Sequence, residues 1–285
     1  MKLALGTVQF GIPYGINNQS GVPDDSALVK ILELAYNSGI RILDTAFAYG
    51  NSEERIADLS ENKFNVVSKF PNVQNRNEFQ IGLNASLKKL NVNNLYGYIS
   101  HNANNLIQFP VIWDELVRSR DKQKAVRKIG YSLYTTEQLE ILLKMDFIPD
   151  LVQLPYSLLD RKFESFLPEL KKMNVEIHIR SVFLQGLYFM NAKQLPIKLR
   201  PLESTLVYLK TLCGDFDTSI GSLALNFVYK NPNIDFVVVG VDSTKQLSQN
   251  LEVIKEEINF QIIELVNKIN ISNPELLNPA NWKSQ

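Results

Sequence analysis

The 285-residue chain carries 30 Lys plus Arg against 30 Asp plus Glu, so it has no overall charge that would favour nucleic acid or an anionic membrane. Hydrophobic residues make up 45% and charged residues 21%, which is the composition of a globular protein with a full core. The single cysteine, Cys213, excludes an internal disulfide, and the two histidines, His101 and His178, form no zinc-ligand pattern with it.

The N-terminal stretch MKLALGTVQFG is apolar, but glycine and glutamine interrupt it too early for a signal peptide. No apolar run in the sequence reaches the length needed to span a bilayer. We therefore expect a cytoplasmic protein with no nucleic-acid partner, no membrane partner and no bound metal. Nothing in the sequence indicates a particular oligomeric state.

Short runs rich in β-branched and aromatic residues alternate with longer amphipathic runs along the whole chain. The short runs predict strands at Lys2–Gly6, Arg41–Asp44, Phe64–Lys69, Leu95–His101, Arg127–Tyr131, Leu151–Leu154, Val175–Arg180 and Phe236–Gly240. The longer runs predict helices at Asp24–Asn37, Glu78–Leu90, Val111–Lys122, Thr136–Met145, Phe163–Met173, Leu202–Leu212, Ser219–Lys230 and Ser243–Ile254. A further helix start is indicated after the second strand, at Asn51, Ser52 and Glu53.

This order of elements predicts a (β/α)8 TIM barrel, a fold of typically about 250 residues. We expect one domain over residues 1–285, with an extra helix after the seventh strand and a C-terminal tail from Asn273 to Gln285. The rival is a doubly wound sheet, which also alternates strands and helices. It would need a glycine-rich phosphate turn, and the first candidate turn, Gly6 to Gly11, lacks the GxGxxG spacing.

Ionisable and polar residues end the second, third and fourth predicted strands, directly after their apolar runs. They are Asp44, Lys69 and His101, and Tyr49 lies in the loop after the second strand. Taken alone, Asp44 and Tyr49 are compatible with a cap and a packed ring. In a barrel, however, the carboxyl ends of the strands form the active site, so these side chains should meet there.

The chemistry of these side chains is coherent. An ammonium group at Lys69 should lower the pKa of the Tyr49 phenol, and Asp44 should keep that lysine charged. A histidine beside the phenol can orient a carbonyl oxygen. The set therefore predicts a proton donor for carbonyl reduction by hydride, with Tyr49 as the general acid or base.

Ordered segments at the strand ends resemble the signature of the aldo/keto reductase family. They are DTAFAYGNSEERIA, VVSK, ISHN, RKIGYSLYT, LVQLPYSLLD, IRSVFLQG and VVVGVDSTKQLSQN. The resemblance implies an NAD(P)H-dependent (β/α)8 oxidoreductase that interconverts an aldehyde or ketone, including a sugar or sugar-derived carbonyl, and its alcohol. Its catalytic tetrad carries over to Asp44, Tyr49, Lys69 and His101, the same four residues.

The resemblance also implies a cofactor site at the remaining strand ends, with NADP as the expected cofactor and NAD as the second choice. Small residues before a helix suit phosphate binding, as after the eighth strand. The implied cofactor-binding residues are Gly6, Thr7, Asp44, Ser132, Gln153, Arg180, Ser181, Phe183, Gly186, Gly240, Val241, Ser243, Lys245, Gln246, Gln249 and Asn250. Gln153 could instead be a satisfied core amide, and Ser243 could be a helix cap.

Three positions depart from the family pattern. The common Ser-Asn pair is Ser132-Leu133, which removes one expected contact to a carboxamide. Arg180 stands where a tyrosine often stacks under nicotinamide, and it adds a charge near the substrate. Gln246, beside Lys245, stands where many members place a basic residue on the 2′-phosphate of NADP. NADP preference is therefore implied by the family and weakly supported by these residues.

Two other functions remain open at the level of sequence. One is a non-catalytic regulatory protein that keeps the barrel and the cofactor. The other is a lyase or isomerase that uses Lys69 as a Schiff-base amine, although an adjacent carboxylate would keep that amine protonated. The tail, with Leu276, Leu277 and Trp282, either covers the outer helices or the barrel floor, or folds over the substrate mouth.

Overall fold

The computed structural model describes residues 1–16, 18 and 21–282. Eight parallel strands form a closed barrel in the order β1 to β8, with β1 pairing with β8. The strands are β1 Leu3–Gly6, β2 Ile42–Asp44, β3 Asn65–Phe70, β4 Leu95–Ser100, β5 Val126–Ser132, β6 Leu151–Pro155, β7 Glu176–Arg180 and β8 Phe236–Gly240. The predicted TIM barrel is confirmed, and closure of the sheet excludes the doubly wound rival. The extent of the domain, residues 1–285, stays a prediction.

Helices follow the strands around the outside of the barrel. They are α1 Val8–Gly11, α2 Asp25–Asn37, α3 Ser52–Leu59, α4 Arg76–Lys89, α5 Ala103–Gln108, α6 Val111–Asp121, α7 Thr136–Lys144, α8 Leu167–Lys172, α9 Glu203–Asp215, α10 Ile220–Tyr229, α11 Thr244–Val253 and α12 Phe260–Asn267. The pair α9 and α10 is the predicted extra helix after the seventh strand. The short α1 and α5 and the later α12 were not predicted, and α8 begins with a separate 3-10 turn at Glu164–Phe166.

The barrel interior is filled by side chains that alternate along the strands. Ala4, Ile42, Val67, Ile99 and Leu151 pack together as one cluster, and each comes from a different strand. Because successive side chains of a strand point to opposite faces, the neighbours of these residues face outward. Leu3, Leu5, Leu43 and Val66 do so, and they pack with the surrounding helices in the main core.

A second apolar cluster lies around the chain that follows β7. It joins Leu184, Leu187 and Leu199 to buried leucines of α9 and to Ile262 of α12. We call it the β7-side cluster. Residues 184–202 here form a series of short 3-10 helices.

The tail packs on the β7-side cluster. Leu277 is 2% exposed within it, and Trp282 lies against it while its indole N–H donates to the Leu276 carbonyl at 2.8 Å. None of the predicted catalytic residues belongs to this cluster. The described tail therefore packs beside the chain that follows β7, and whether it also covers the substrate mouth stays a prediction. Residues 283–285 of the predicted tail lie outside the described part.

The floor of the barrel, at the amino ends of the strands, carries an ionic network instead of the tail. Glu176 accepts hydrogen bonds from Tyr96 at 2.7 Å and from Lys128, and it pairs with His178 at 2.8 Å. Burial alone would raise the pKa of Glu176, but these partners outweigh it and lower the pKa to about 2. The fully buried His178 ring also packs on Phe236.

Across the described ranges, no helix has the length and apolar character that a membrane crossing requires. In the same part of the chain, no group of three or more His, Cys, Asp or Glu residues is arranged to hold a metal ion. The cytoplasmic location stays a prediction.

Candidate active site

Alternation along the strands brings the predicted catalytic residues together. Asp44, Lys69 and His101 each lie two positions beyond an interior residue of the barrel, namely Ile42, Val67 and Ile99. A spacing of two keeps a side chain on the same face of a strand. All three therefore point into the carboxyl end of the barrel, as does Gln153, which lies two positions beyond Leu151.

Asp44 and Lys69 form a buried ion pair. The Lys69 ammonium donates to both Asp44 carboxylate oxygens, at 2.9 and 2.6 Å, and to the Thr45 carbonyl at 2.8 Å. The Gln153 amide adds a hydrogen bond to Asp44 at 2.7 Å. Their exposed fractions are 4% for Asp44 and 1% for Lys69, so each charge is stabilised by the other. Since these bonds use all the lysine protons, Lys69 is not placed as a free amine.

The loop carrying Tyr49 is held in place by α1. A Cβ on Gly11 would lie 1.8 Å from the Tyr49 carbonyl oxygen, and a Cβ on Gly50 would lie 2.6 Å from the Gly11 carbonyl oxygen. Gly50 also has a φ of 60°, a conformation that favours glycine. The two segments therefore pack backbone against backbone, and both glycines are required for this approach.

Three buried hydroxyl groups connect the same loop to the strands. Ser52, at the start of α3, donates to the Thr7 carbonyl at 2.9 Å and lies 3.1 Å from the Thr45 hydroxyl. Thr7 donates from its own hydroxyl to the Asp44 carbonyl at 3.0 Å. Thr7, an implied cofactor residue, is completely buried and serves this cluster. The position of Tyr49 is thus fixed from β1, β2 and α1 together.

Tyr49 and His101 face each other at the carboxyl end of the barrel. Their ring centroids are 5.7 Å apart with planes at 85°, and the Lys69 ammonium lies 5.2 Å from the Tyr49 ring centroid. Neither the phenol nor the imidazole has a hydrogen-bond partner among the residues that the structure describes. Both polar groups are therefore available to a bound molecule.

The predicted effect of Lys69 on Tyr49 is wrong for this structure. Burial raises the pKa of Tyr49, the negative charge of Asp44 raises it further, and the cation that opposes them is Arg180. The reason is the ion pair, because Asp44 neutralises the Lys69 ammonium and takes its protons. Tyr49 is therefore a protonated phenol at neutral pH.

His101 is neutral at physiological pH. Burial lowers the pKa of its imidazole from 6.5 to about 4, and the positive charges of Lys69 and Arg180 act in the same direction. A neutral imidazole has one N–H donor, which can hydrogen-bond an oxygen without transferring a charge to it. The electrostatics thus separate the two groups, with His101 suited to orienting an oxygen and Tyr49 suited to giving it a proton.

The ends of β5, β6 and β7 line the other half of the site. Ser132 and Gln153 are paired in register and are 1% and 2% exposed. The Arg180 guanidinium lies 4.3 Å above the Tyr134 ring centroid and donates to the Leu133 carbonyl at 2.8 Å. The planar group does stack, on Tyr134, and Leu133 contributes its backbone oxygen while its side chain lies in the core.

The loop after β7 leaves the strand through unusual backbone conformations. Ser181 has a φ of 65°, and Gly186 has a φ of 93°. The Phe183 ring packs on Phe189 with centroids 5.5 Å apart. Non-glycine residues with positive φ cluster at binding loops, which agrees with the implied role of Ser181 and its neighbours beside the cofactor.

One polar residue of this region was missed in the sequence. Gln9, in α1, is 8% exposed, and its Oε1 has no hydrogen-bond partner in the described chain. A Cβ on Gly240 would lie 2.5 Å from the Gln9 amide nitrogen, so the amide fills the space that this glycine leaves. Gly6 is in register with both Asp44 and Gly240, so it lies between them at the end of β1. The signal available in the sequence is a lone amide inside the apolar run LGTVQFG.

The start of α11 combines capping with exposed polar groups. Ser243 is the N-cap and accepts from the Gln246 amide nitrogen at 3.3 Å, while the Gln246 side chain accepts from the Asp242 amide nitrogen at 2.7 Å. Gln246 therefore closes the first turn with its oxygen. Lys245 is exposed at this turn, and Val241 is buried before it. Gln249 and Asn250 lie further along the same helix.

The chain matches the model of the aldo/keto reductase family over residues 2–271. No curated protein matches its sequence. Among solved structures, a glycerol dehydrogenase from Gluconobacter oxydans superposes with a TM-score of 0.75 at 21% identity, over 93% of this chain and 90% of that chain. The holo form of an aldo-keto reductase from Bacillus halodurans has a TM-score of 0.75 at 17% identity, over 95% and 93%. An aldo-keto reductase from Klebsiella pneumoniae in complex with NADPH has a TM-score of 0.71 at 16% identity, over 94% and 90%.

Proposed function

The chain belongs to the aldo/keto reductase family of oxidoreductases, and from this premise we propose that it interconverts an aldehyde or ketone and the corresponding alcohol with NADPH. The substrate class we propose includes sugars and sugar-derived carbonyls. The observation that carries the proposal is the pairing of a protonated Tyr49 with a neutral His101 beside the Asp44–Lys69 ion pair. The names of two neighbours, a glycerol dehydrogenase and a reductase bound to NADPH, support it.

The residues of the second half of the site fit a nicotinamide dinucleotide. The buried, unpartnered Gln9 Oε1 beside Gly240 is an acceptor that a ligand hydroxyl or amide would satisfy. Ser132 has no hydrogen-bond partner among the described side chains and offers its hydroxyl to the same end of the barrel. The N-terminus of the ten-residue α11 provides backbone amides suited to phosphate. We propose that these residues, with Gln153 and Ser181, hold the cofactor.

When bound, NADPH supplies the hydride. The role we propose for the chain is to bind the carbonyl oxygen and to provide the proton. His101 donates a hydrogen bond to that oxygen and orients it, and the Tyr49 hydroxyl gives the proton. The Asp44–Lys69 pair holds a fixed dipole beside the phenol, so little reorganisation is needed during reaction. In the reverse direction, the same phenol oxygen would receive the proton.

The Schiff-base alternative gains no support from this geometry. A nucleophilic lysine must be a neutral amine with a free lone pair. Lys69 is paired with a carboxylate and donates three hydrogen bonds, which stabilise its charged form.

The test is a comparison of wild type with Tyr49→Phe. We expect the substitution to reduce turnover roughly 10²–10⁴-fold, because it removes the proton donor and little else. The dissociation constant of NADPH, measured by nicotinamide fluorescence, should stay near the wild-type value because the phenol faces the substrate. Near-native turnover in Tyr49→Phe would contradict the mechanism. NADPH binding without turnover of any aldehyde by wild type would favour the non-catalytic regulatory alternative.

A further inference from the structure

Arg180 is a half-buried cation at the carboxyl end of the barrel. It is the last residue of β7, and three contacts fix its guanidinium. The group stacks on Tyr134 at 4.3 Å, donates to the Leu133 carbonyl at 2.8 Å and reaches the Ser181 hydroxyl at 3.3 Å. The arginine is therefore held by the loops after β5 and β7 rather than extending into solvent.

No carboxylate in the described part of the chain forms an ion pair with Arg180. The nearby Asp160 is paired with Lys162 at 2.7 Å. A guanidinium has five N–H donors, and the two hydrogen bonds above leave three of them for other partners. Arg180 is only partly buried, but its guanidinium is fixed, has no counterion among the described residues and keeps unused N–H donors, so it is suited to bind an anion.

The charges of the site indicate that the partner of Arg180 is an anion. Asp44 and Lys69 cancel each other, and His101 and Tyr49 are neutral at pH 7. Arg180 is then the uncompensated charge among these groups. Its field reaches both Tyr49 and His101, because it lowers the pKa of each. By geometry, the cation binds the carbonyl of Leu133, directly after Ser132, and is in register with Pro155, two residues beyond the Gln153 that binds Asp44, so it lies at the same end of the barrel as the catalytic residues.

We propose that Arg180 binds a carboxylate or phosphate group of the carbonyl substrate, so that the enzyme selects anionic aldehydes or ketones. The unused N–H donors form charge-assisted hydrogen bonds to the two oxygens of such a group. Tyr134 holds the guanidinium plane in place for this contact. The proposal rests on the proposed function, which supplies the carbonyl chemistry at Tyr49.

An oxyanion at Arg180 could also come from the cofactor, since a dinucleotide carries phosphates. The substrate is favoured because Arg180 lies beside β6, whose Gln153 binds Asp44, whereas the phosphate-binding amides are offered by α11. The two sources are separable by experiment, because only one of them depends on the charge of the aldehyde.

The test measures kcat and KM at saturating NADPH for matched pairs of aldehydes. One pair is 4-carboxybenzaldehyde and methyl 4-formylbenzoate, and a second is succinic semialdehyde and its methyl ester. We expect wild type to prefer the acids and Arg180→Met to lower their kcat/KM by about 10–100-fold, mainly through KM. The ratio between acid and ester should fall towards one. Arg180→Lys should restore part of the preference, because it keeps the charge.

Arg127→Met is the matched control, since it removes one arginine from the amino end of β5, at the opposite end of the barrel. It should leave the acid-to-ester ratio unchanged. Equal use of acid and ester by wild type, or an unchanged ratio in Arg180→Met, overturns the proposal. A weaker NADPH dissociation constant with an unchanged ratio assigns the anion to the cofactor and also overturns it. If wild type reduces neither the acids nor the esters, the proposed function itself fails, which is a distinct result.

Discussion

At the scale of single residues, the charge of Asp44 raises the pKa of Tyr49, whereas the charge of its ion-pair partner Lys69 would lower it. The carboxylate raises the pKa of the phenol, and it also neutralises the ammonium that would lower it. The ion pair therefore keeps Tyr49 protonated. A protonated phenol suits a proton donor in reduction. The charge of Asp44 therefore helps to set the pH range over which Tyr49 can give a proton.

We predict that Asp44→Asn lowers the pKa of Tyr49. The substitution removes the negative charge and leaves the Lys69 ammonium uncompensated, and both changes favour the phenolate. For reduction, the alkaline fall of kcat/KM should begin at a lower pH in the variant than in the wild type. The pH profile of kcat/KM is the measurement.

The matched control is the double variant Asp44→Asn/Lys69→Met, in which both charges are absent. It should move this alkaline fall back towards high pH, while Lys69→Met alone should not lower it. Identical pH profiles for wild type and Asp44→Asn would refute the electrostatic role of the pair. Stability must be checked alongside, because a buried unpaired lysine costs about 3–5 kcal/mol.

We predict that Gly11→Ala disables the site without touching a reacting group. Its Cβ would lie 1.8 Å from the Tyr49 carbonyl oxygen and 2.8 Å from the Ser52 nitrogen, so the Tyr49 loop must move. A displacement of about 1 Å can cost on the order of 10²-fold in rate. The measurement is kcat together with the NADPH dissociation constant.

Gly214→Ala is the control for that substitution. Gly214 lies in α9, and its Cβ would meet no atom within 4 Å. It should keep full activity and be neutral or stabilising by up to about 1 kcal/mol. Retention of wild-type kcat in Gly11→Ala would show that α1 does not position Tyr49.

Some site residues could be predicted from the sequence because the period of a strand places them, and others could not because they depend on loops. Asp44, Lys69 and His101 come directly after the apolar runs of their strands, so strand alternation was sufficient to place them together. Gln9 and the approach of Gly11 to Tyr49 depend on loop paths, which carry no comparable period. The pKa of Tyr49 was predicted with the wrong sign because a sequence cannot show how the protons of Lys69 are shared.

At the scale of elements, the strands and most of the long helices were predictable to within one or two residues, but α9 ends three residues later than predicted and α8 begins four residues later. Caps explain much of this, because Asp24, Asn75 and Thr135 each accept a backbone N–H at the start of a helix. The 3-10 helices of residues 184–202 were not predicted. They are too short to show a periodic pattern, and buried leucines of the β7-side cluster hold them.

For α11 we predict a weak preference for NADPH over NADH. Lys245 is the exposed cation at its first turn, and the Gln246 side-chain oxygen is engaged with the Asp242 amide. One exposed lysine contributes about 1 kcal/mol or less, which corresponds to less than roughly tenfold in affinity. Lys245→Ala should bring the ratio of the two dissociation constants close to one, and added salt should reduce it in wild type.

Lys255→Ala is the matched control, because Lys255 lies just beyond the other end of α11 and is paired with Glu252. It should leave the ratio unchanged. A wild-type preference of several hundredfold for NADPH would mean that a cation from another loop binds the 2′-phosphate. A clear preference for NADH would mean that Asp242 outweighs Lys245.

At the scale of the whole molecule, the two large apolar clusters divide the protein. The main core surrounds the barrel, and the β7-side cluster joins α9, α12 and the tail, with Phe183 and Phe227 packed against both. Regions with their own core can open separately from the rest. The tail therefore packs against the segments that follow β7 and not against the strands.

We predict that Leu277→Ala loosens the β7-side cluster alone. The side chain is 2% exposed, and its truncation should cost about 2–3 kcal/mol. Hydrogen exchange of amides in residues 184–212 should accelerate by about 10–100-fold, while exchange of the β-strand amides stays unchanged. Leu83→Ala in α4, which packs in the main core, is the comparison and should affect the strands. Equal acceleration in both regions after Leu277→Ala would contradict the division.

The polar floor of the barrel has a consequence for how the protein responds to acid. Its network ends at the His178 Nδ1, which has no partner in the described chain, and His178 is in register with Gln153 of β6, where the hydrogen bonds around Asp44 end. Ala4, Ile42, Val67, Ile99 and Leu151 fill the neighbouring part of the barrel interior with apolar side chains. No hydrogen bond in the described chain joins the two networks, although their last residues lie on adjacent strands. The ordinary pKa of a glutamate is 4.5, and that of Glu176 in the fold is about 2. The charged Glu176 therefore stabilises the fold fully above pH 4.5, and this contribution is lost as the pH falls from 4.5 towards 2. Acid should therefore destabilise the floor of the barrel first, because protonation of Glu176 removes its ion pairs with Lys128 and His178.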